Sequence, residues 1–490
     1  MNKSVIFRKS RGKEPMIFGK TIKVMILLFS ICLAGCAVGP DFQKPVVETP
    51  DLFRAADEQV EPVVNLKWWE LFNDPVLVSL VDAALSGNKN VMIAASRLEE
   101  ARASLGFTKA DQYPRLDLEA DVTRGNMAGR TKVDSTDNNF FIGPVLGWEL
   151  DFWGKYRRAT EAARADLMAS EYSLRTVQIS LISEVVGTYF ILLDFQQRLA
   201  LSRQTLDSRN EGLDIIEKRF ARGIIPELDV NQAQIQKEIA AAAIPVYERS
   251  IYKTQNTLSI LLGSLPREIK SGLPLYKQTI PPNIPVGLPS SLLERRPDIL
   301  QAESLLEAQN ARIGVAVALR FPSISLTGAL GAASDELSDL TSDGAAWSVS
   351  AGLFGPIFNF NQDKMRVEIE KERTKQALYN YENTVLIAFK EVEDALNEVH
   401  TYRTQVSAVE KQFKAAKNAA RLSKLRYDKG VTSYLEVLDS ERTLFSAGLD
   451  FSDVKQQYYN AYVKLYKSLG GGWLSREEMK KTQTETVPEK

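Results

Sequence analysis

The chain has 490 residues, 44% of them hydrophobic, and its 61 Lys and Arg nearly cancel 62 Asp and Glu to leave a formal net charge of −1. That is long enough for a large core, and with no basic excess nucleic acid is not expected as a partner. Two cysteines, Cys32 and Cys36, and a single histidine, His400, exclude a disulfide framework and a Cys/His metal cluster.

Residues 1–35 read as a removable leader. Lys9, Arg11, Lys13, Lys20 and Lys23 precede an apolar run from Val24 to Leu33 that ends in small residues, the order of a bacterial secretory signal. The run is too short to span a bilayer, which needs about 20 apolar residues. The basic stretch is long, so Met16 is a second candidate start. Gly19, Lys20 and Thr21 end like a phosphate-binding loop, but Glu14 stands where the earlier glycine is required. Leu33, Ala34, Gly35 and Cys36 resemble the lipobox of bacterial lipoproteins. The resemblance implies cleavage before Cys36 and acylation of its new amino terminus. Ala37, where Asp would retain the protein at the inner membrane, implies sorting to the outer membrane. One acyl signal anchors only marginally unless something else inserts. The covalent lipid on Cys36 is the only added group expected; no cofactor and no metal are.

Beyond an extended segment at 36–75, the chain is written twice. Leu98, Glu99, Ala103, Gly106, Pro114 and Leu118 find Leu306, Glu307, Ala311, Gly314, Pro322 and Leu326 at one constant offset. Arg219, Phe220, Gly223, Leu228, Val230, Leu262 and Gly263 find Arg426, Tyr427, Gly430, Leu435, Val437, Leu469 and Gly470 at that offset less one residue. The repeats are placed at 76–280 and 281–473, each a helix, two strands and two long helices, with a polar tail at 474–490. The period is far longer than that of solenoids.

The strands follow from alternation: Leu116 to Thr123 switches between apolar and polar at every residue, Ile324 to Thr327 repeats the pattern, and Phe140 to Leu150 and Trp347 to Ser350 supply the return strands. Apolar residues outward and Asp or Ser inward suit a barrel with lipid outside and water inside. Trp148, Phe152, Trp153, Phe354 and Phe358 are candidates for its interfacial belt. A half-buried sheet in a soluble protein fits the same alternation. Four strands cannot close around water, because even eight enclose only a filled interior; a trimer pooling twelve removes the edges.

The helices are expected to be very long, since no proline interrupts the chain between Pro144 and Pro226 or between Pro356 and Pro488. Tyr156 to Phe220 alone would reach roughly 95 Å at about 1.5 Å per residue. Leu192, Phe195, Leu199, Leu206, Leu213, Ile216 and Phe220, and in the second half Val406, Val409, Phe413, Ala416, Ala420 and Tyr427, form coiled-coil seams. A soluble helical bundle would show the same seams. Gly223 and Gly430 sit where each long helix turns back. Pro245, opposite Ser452 in the repeat, predicts a kink. Glu436 and Asp439 are three apart and share a helix face, a pattern that an ordinary solvated acidic face also produces. His400 lies among charged residues and reads as a surface group, and no catalytic set is found, so an enzyme is not expected.

Gly39, Pro40, Asp41, Phe42 and Pro45, then Trp68, Trp69 and Phe72, then Leu293 to Ala302 (LERRPDILQA), Phe321 to Leu326 (FPSISL) and Leu469 to Trp473 (LGGGW) resemble the TolC-type outer-membrane factor family, in its OprM/NodT-like efflux lipoprotein branch. Within these motifs Arg296, Pro297 and Asp298 suit the first turn of a helix and read as structural. The resemblance implies a mixed α and β fold: a trimeric 12-stranded transmembrane β-barrel, four strands per chain, continuous with a long periplasmic α-helical barrel of coiled-coil hairpins. It implies an outer-membrane channel of a tripartite efflux pump, a passive gated conduit for small toxic molecules. A type I protein-secretion channel and a structural coiled-coil lipoprotein without a pore are the alternatives; the lipobox favours the first reading. By the same resemblance Arg222, Gly223, Lys429, Gly430, Val431 and Thr432 dock a periplasmic membrane-fusion adaptor, through which an inner-membrane transporter of the RND type supplies the energy. Tyr427, Glu436 and Asp439 form the periplasmic gate, with Glu436 standing where the family usually has Asp.

Overall fold

The computed structural model describes residues 37–50, 53–54, 67–128, 131–281, 292–340 and 345–471. The leader, Cys36, Trp473 and the tail at 474–490 lie outside the described residues. In chain order the elements are α1 (Pro75–Gly87), α2 (Lys89–Ala110), β1 (Arg115–Ala128), β2 (Thr131–Leu150), α3 (Lys155–Ala221), α4 (Glu227–Leu261), the single turn α5 (Leu292–Arg295), α6 (Pro297–Ala318), β3 (Ser323–Ser334), β4 (Ala345–Phe354), α7 (Gln362–Asp428) and α8 (Tyr434–Ser468).

Three of the helices in each half match to the residue, while α1 has 13 residues and α5 only 4. α2 and α6 each have 22 residues, α3 and α7 each have 67, and α4 and α8 each have 35. A helix of 67 residues extends about 100 Å. Pro245 does not end α4, which runs through it to Leu261.

The compact units cut across the repeats. One comprises 1–43, 101–166 and 305–377, the other 44–100, 167–304 and 378–490, so each takes equivalent parts of both halves. The reason is pairing: β2 of the first half bonds to β3 of the second, and neither strand pair forms a separate sheet.

That sheet is antiparallel in the order β1-β2-β3-β4. Its register gathers the alternation of all four strands into two continuous faces. Leu116 lies opposite Leu146, Val122 opposite Phe140, Trp148 opposite Leu326, Ile324 opposite Leu353 and Leu330 opposite Trp347. The other face pairs Thr123 with Asn139, Glu149 with Ser325 and Thr327 with Ser350. The apolar face is open: Leu118 is 78% exposed, Trp347 and Val349 are each 77%. Apolar surface this extensive on a sheet marks an interaction with another apolar phase.

Two residues expected in the aromatic belt lie elsewhere. Trp153 stacks on Phe321 at 4.5 Å and donates its Nε1–H to the carbonyl of Pro322 at 2.8 Å, so internal bonds occupy it. Phe354 pairs with Ser323 and so falls on the polar face. The exposed aromatics after β4 are Phe358 and Phe360, 4.6 Å apart and beside the fully exposed Ile357.

The second unit holds the main aromatic core. Trp68 stacks flat on Tyr466 at 5.1 Å, Phe72 meets Phe190 edge-on at 4.9 Å, and Phe190 stacks on Tyr459 at 4.8 Å. α3 contains a stretch apolar enough to cross a membrane by composition, but its Ile182, Val185, Val186, Tyr189 and Phe190 are fully buried in this core. Its hydrophobicity therefore serves packing. Asp74, almost fully buried, caps α1 by accepting from the amides of Val76 and Leu77. Its other oxygen accepts from the Tyr189 hydroxyl and the Gln278 amide, both at 2.7 Å, so both oxygens of the buried carboxylate are hydrogen-bonded.

The motifs at 293–302 and 469–473 meet in space. Arg296, 5% exposed, forks onto Asp298, reaches Glu391 at 2.7 Å and donates to the carbonyl of Ser468 at 3.0 Å. It thereby places a cation at the carbonyl end of α8. Gly470, at φ +76°, packs directly on its stem. In an Arg296→Met variant the half-exposed Glu391 and Asp298 regain water, but the Ser468 carbonyl does not; the expected loss is about 2 kcal/mol in a denaturant titration, with no rescue by Lys, which cannot fork. An unchanged midpoint would show that the two motifs are not coupled through this side chain.

Candidate functional site

Two helical hairpin tips, at the α3–α4 and α7–α8 turns, are built alike. In the first, the amide of Gly223 donates to the carbonyl of Phe220 at 2.8 Å and that of Ile224 to Arg219 at 3.0 Å. In the second, Gly430 donates to Tyr427 at 2.9 Å and Val431 to Arg426 at 3.0 Å. These are paired Schellman bonds that satisfy the last carbonyls of the long helices. They require a left-handed residue, and Gly223 and Gly430 have φ of +71° and +72°. A Cβ at either would meet nothing within 4 Å, so the demand is conformational and not spatial.

Of the six tip residues expected to dock a partner, Arg222, Gly223, Lys429, Gly430 and Val431 are exposed and Thr432 is half-buried. Besides Val431, the tips present apolar residues that sequence reasoning passed over, Ile224, Leu228 and Leu435. Ile224 and Leu228 are 64% and 62% exposed, and their repeat equivalents Val431 and Leu435 are 66% and 60%. The repeat, which already pairs Leu228 with Leu435, held that signal. Each tip is thus an apolar pair beside a cation.

The three gate candidates lie just behind the second tip. Glu436 bonds across the turn to Arg426 at 3.1 Å and accepts from the Thr432 hydroxyl. Asp439 pairs with Arg442 at 2.5 Å, both well exposed. Neither acid is bare: Glu436 closes the α7–α8 turn, whereas the Asp439 pair is in water and stabilises little. Tyr427 lies between the guanidinium of Arg219, 4.7 Å from its ring centroid, and the ring of Tyr434 at 5.3 Å. It therefore links α7 to α3 and to α8. His400 is exposed on α7.

At the far end of the sequence, the segment following Cys36 is clamped to the first unit. The amide of Val38 donates to the carbonyl of Trp153 at 3.1 Å. Arg158, 5% exposed, donates to the carbonyls of Val38 and Gly39 and to the carboxylate of Asp41 at 2.7 Å. Asn310 donates to the carbonyl of Pro40 at 3.1 Å. Gly39, at φ +100°, crosses Gly314 so closely that a Cβ would lie 2.4 Å from the Gly314 Cα. The motif from Gly39 to Phe42 thus holds the chain, from the residue after Cys36 onward, at the junction of β2 and α3.

A family model described as outer membrane efflux protein matches residues 80–264 and 288–471. The chain is 36% identical over 469 residues to the solvent efflux pump outer membrane protein SrpC of Pseudomonas putida, spanning 93% of this chain and 98% of the relative. It is 32% identical over 456 residues to the cation efflux system protein CusC of Escherichia coli K12, spanning 92% and 99%. The solved outer membrane channel CmeC of Campylobacter jejuni superposes with a TM-score of 0.82 at 28% identity, over 92% of this chain and 98% of that one.

Proposed function

The chain belongs to the outer membrane efflux protein family and is an outer-membrane channel component of an efflux pump, and we propose that it acts as a trimer whose periplasmic gate is closed by Tyr427, Glu436 and Asp439. The observation that carries this reading is the sheet: one exposed apolar face, one polar face, and two edges, at β1 and β4, that are unpaired among the described residues. Three copies joined edge to edge give twelve strands with lipid on one side and water on the other.

The remaining assignments follow from the tips and the amino terminus. Apolar pairs with flanking Arg222 and Lys429 suit helical hairpins of a membrane-fusion adaptor, and the energy comes through it from an inner-membrane transporter of the RND type. Relatives named for solvent and for cation efflux share the scaffold, which supports a conduit that leaves choice of cargo to the pump; the cargo proposed here is small toxic compounds, drugs among them. Acylation of Cys36, beside the clamped segment, adds an anchor to the inserted barrel and removes the need for a stronger lipid signal.

Glu436 acts on the gate in two ways. Its charge favours cations in a narrow mouth, and its bonds to Arg426 and Thr432 hold the turn closed. Planar-bilayer recordings are expected to show small, cation-selective currents that rise severalfold in a Glu436→Ala, Asp439→Ala variant. Inserted trimers that never conduct would remove the channel, and equal large currents in both proteins would remove these acids as the gate. Intact-mass measurement on the mature chain is expected to give an amino terminus at Cys36 with added acyl mass; an unmodified chain cleaved elsewhere would contradict the anchor.

A further inference from the structure

Behind the gate, where α3, α4, α7 and α8 converge, Arg209 is 5% exposed. Its guanidinium donates one N–H to the carbonyl of Gln236 and lies 5.2 Å from the ring of Phe445. Nε and Nη2 have no hydrogen-bond partner among the described residues, and neither has the neighbouring Tyr427 hydroxyl. Both residues line one cavity, together with Glu441. Glu441 is the obvious counterion, yet no ion pair joins it to Arg209 among the described residues.

A buried guanidinium with open N–H groups is costly enough that something must compensate it. Water would satisfy the N–H groups but leave the charge; an anion does both. Burial pushes the Glu441 carboxyl up, towards its neutral form, although Arg209 and Lys424 pull it the other way. Asp428, the other acid lining the cavity, is exposed to solvent, so the buried cation has no charged partner among the described residues. The space is small. Its volume is about 40 Å³, room for an ion and a water but not for a drug. The amide oxygen of Gln236, also without a partner among the described residues, is an acceptor that fits the water.

We propose that this cavity binds a small monovalent anion, chloride or another halide of its size, on the Nε and Nη2 of Arg209 with the Tyr427 hydroxyl as a further donor. Bound there, the ion ties α3 to α7 directly behind Tyr427. The binding stands independently of the channel reading; only its effect on the gate rests on that reading.

The test uses the purified full-length protein. Crystals soaked in bromide are expected to show an anomalous peak in contact with Arg209. Replacing gluconate by chloride at constant ionic strength raises the melting temperature, with a midpoint about tenfold weaker in Arg209→Met and within about twofold of the wild type in Glu441→Gln. If Arg209→Met does not fold, Arg209→Lys serves, with an intermediate shift expected from a point charge lacking the fork. Water alone in the cavity, a direct Arg209–Glu441 ion pair, or a peak seen at crystal concentration only would each overturn the proposal. So would an unchanged chloride midpoint in the Arg209 variants. Loss of chloride dependence in Glu441→Gln would do the same and make the carboxylate the responsive group. Chloride-dependent stability without any change in bilayer conductance would keep the site and remove its link to the gate.

Discussion

In hydrocarbon no water is available to a backbone N–H or C=O, so each must find its partner in protein. Among the described residues β1 and β4 each have one side bonded within the chain and one side free, which in lipid would cost several kcal/mol for every unmet group. Association through these edges is thus a condition of insertion. It also decides much of the sequence: alternation in all four strands, one register, and a chain duplicated so that two hairpins lie side by side.

The second requirement is that the helices keep their places over roughly 100 Å. Propensity alone would not fix such elements, and packing does. The aromatic core from Trp68 to Tyr466 holds the middle of α3 and the end of α8, with the buried Asp74 hydrogen-bonded to Tyr189 and Gln278. Arg296 fastens the last turn of α8 to α7. At the tips, by contrast, the capping bonds lie near solvent, and the cavity behind them holds Arg209, whose Nε and Nη2 have no partner among the described residues. Regions that open are drawn from such weakly held parts of a structure, which fits a gate there and a rigid middle.

Period and punctuation made the fold legible in the sequence. Alternation placed four strands, the absence of proline placed α3 and α7, glycine placed the tips, and the offset between the halves joined these into a repeat. What one dimension concealed was which neighbour a side chain meets. Trp153 has the composition of a belt residue but is taken up by Phe321 and Pro322. Phe354 is one residue out of phase with Leu353, and in a strand one residue changes the face. Asp439 and Glu436 look alike on a helix wheel; only the turn brings Arg426 to Glu436. Arg209 carries no pattern at all, since its burial arises where four distant segments converge.

Edge-to-edge closure between chains is the claim on which the channel stands, and disulfide trapping tests it most directly. The natural cysteines are Cys32 and Cys36; with the leader removed and Cys36 acylated as proposed, neither competes with an engineered pair. Cysteines introduced together at one of Asp117, Glu119 or Asp121 in β1 and one of Ser348 or Ser350 in β4, oxidised in outer membranes, should give covalent dimers and trimers for the pair in register, and neither single variant should. If no pair crosslinks between chains while the protein remains folded in the membrane, the twelve-stranded barrel is wrong.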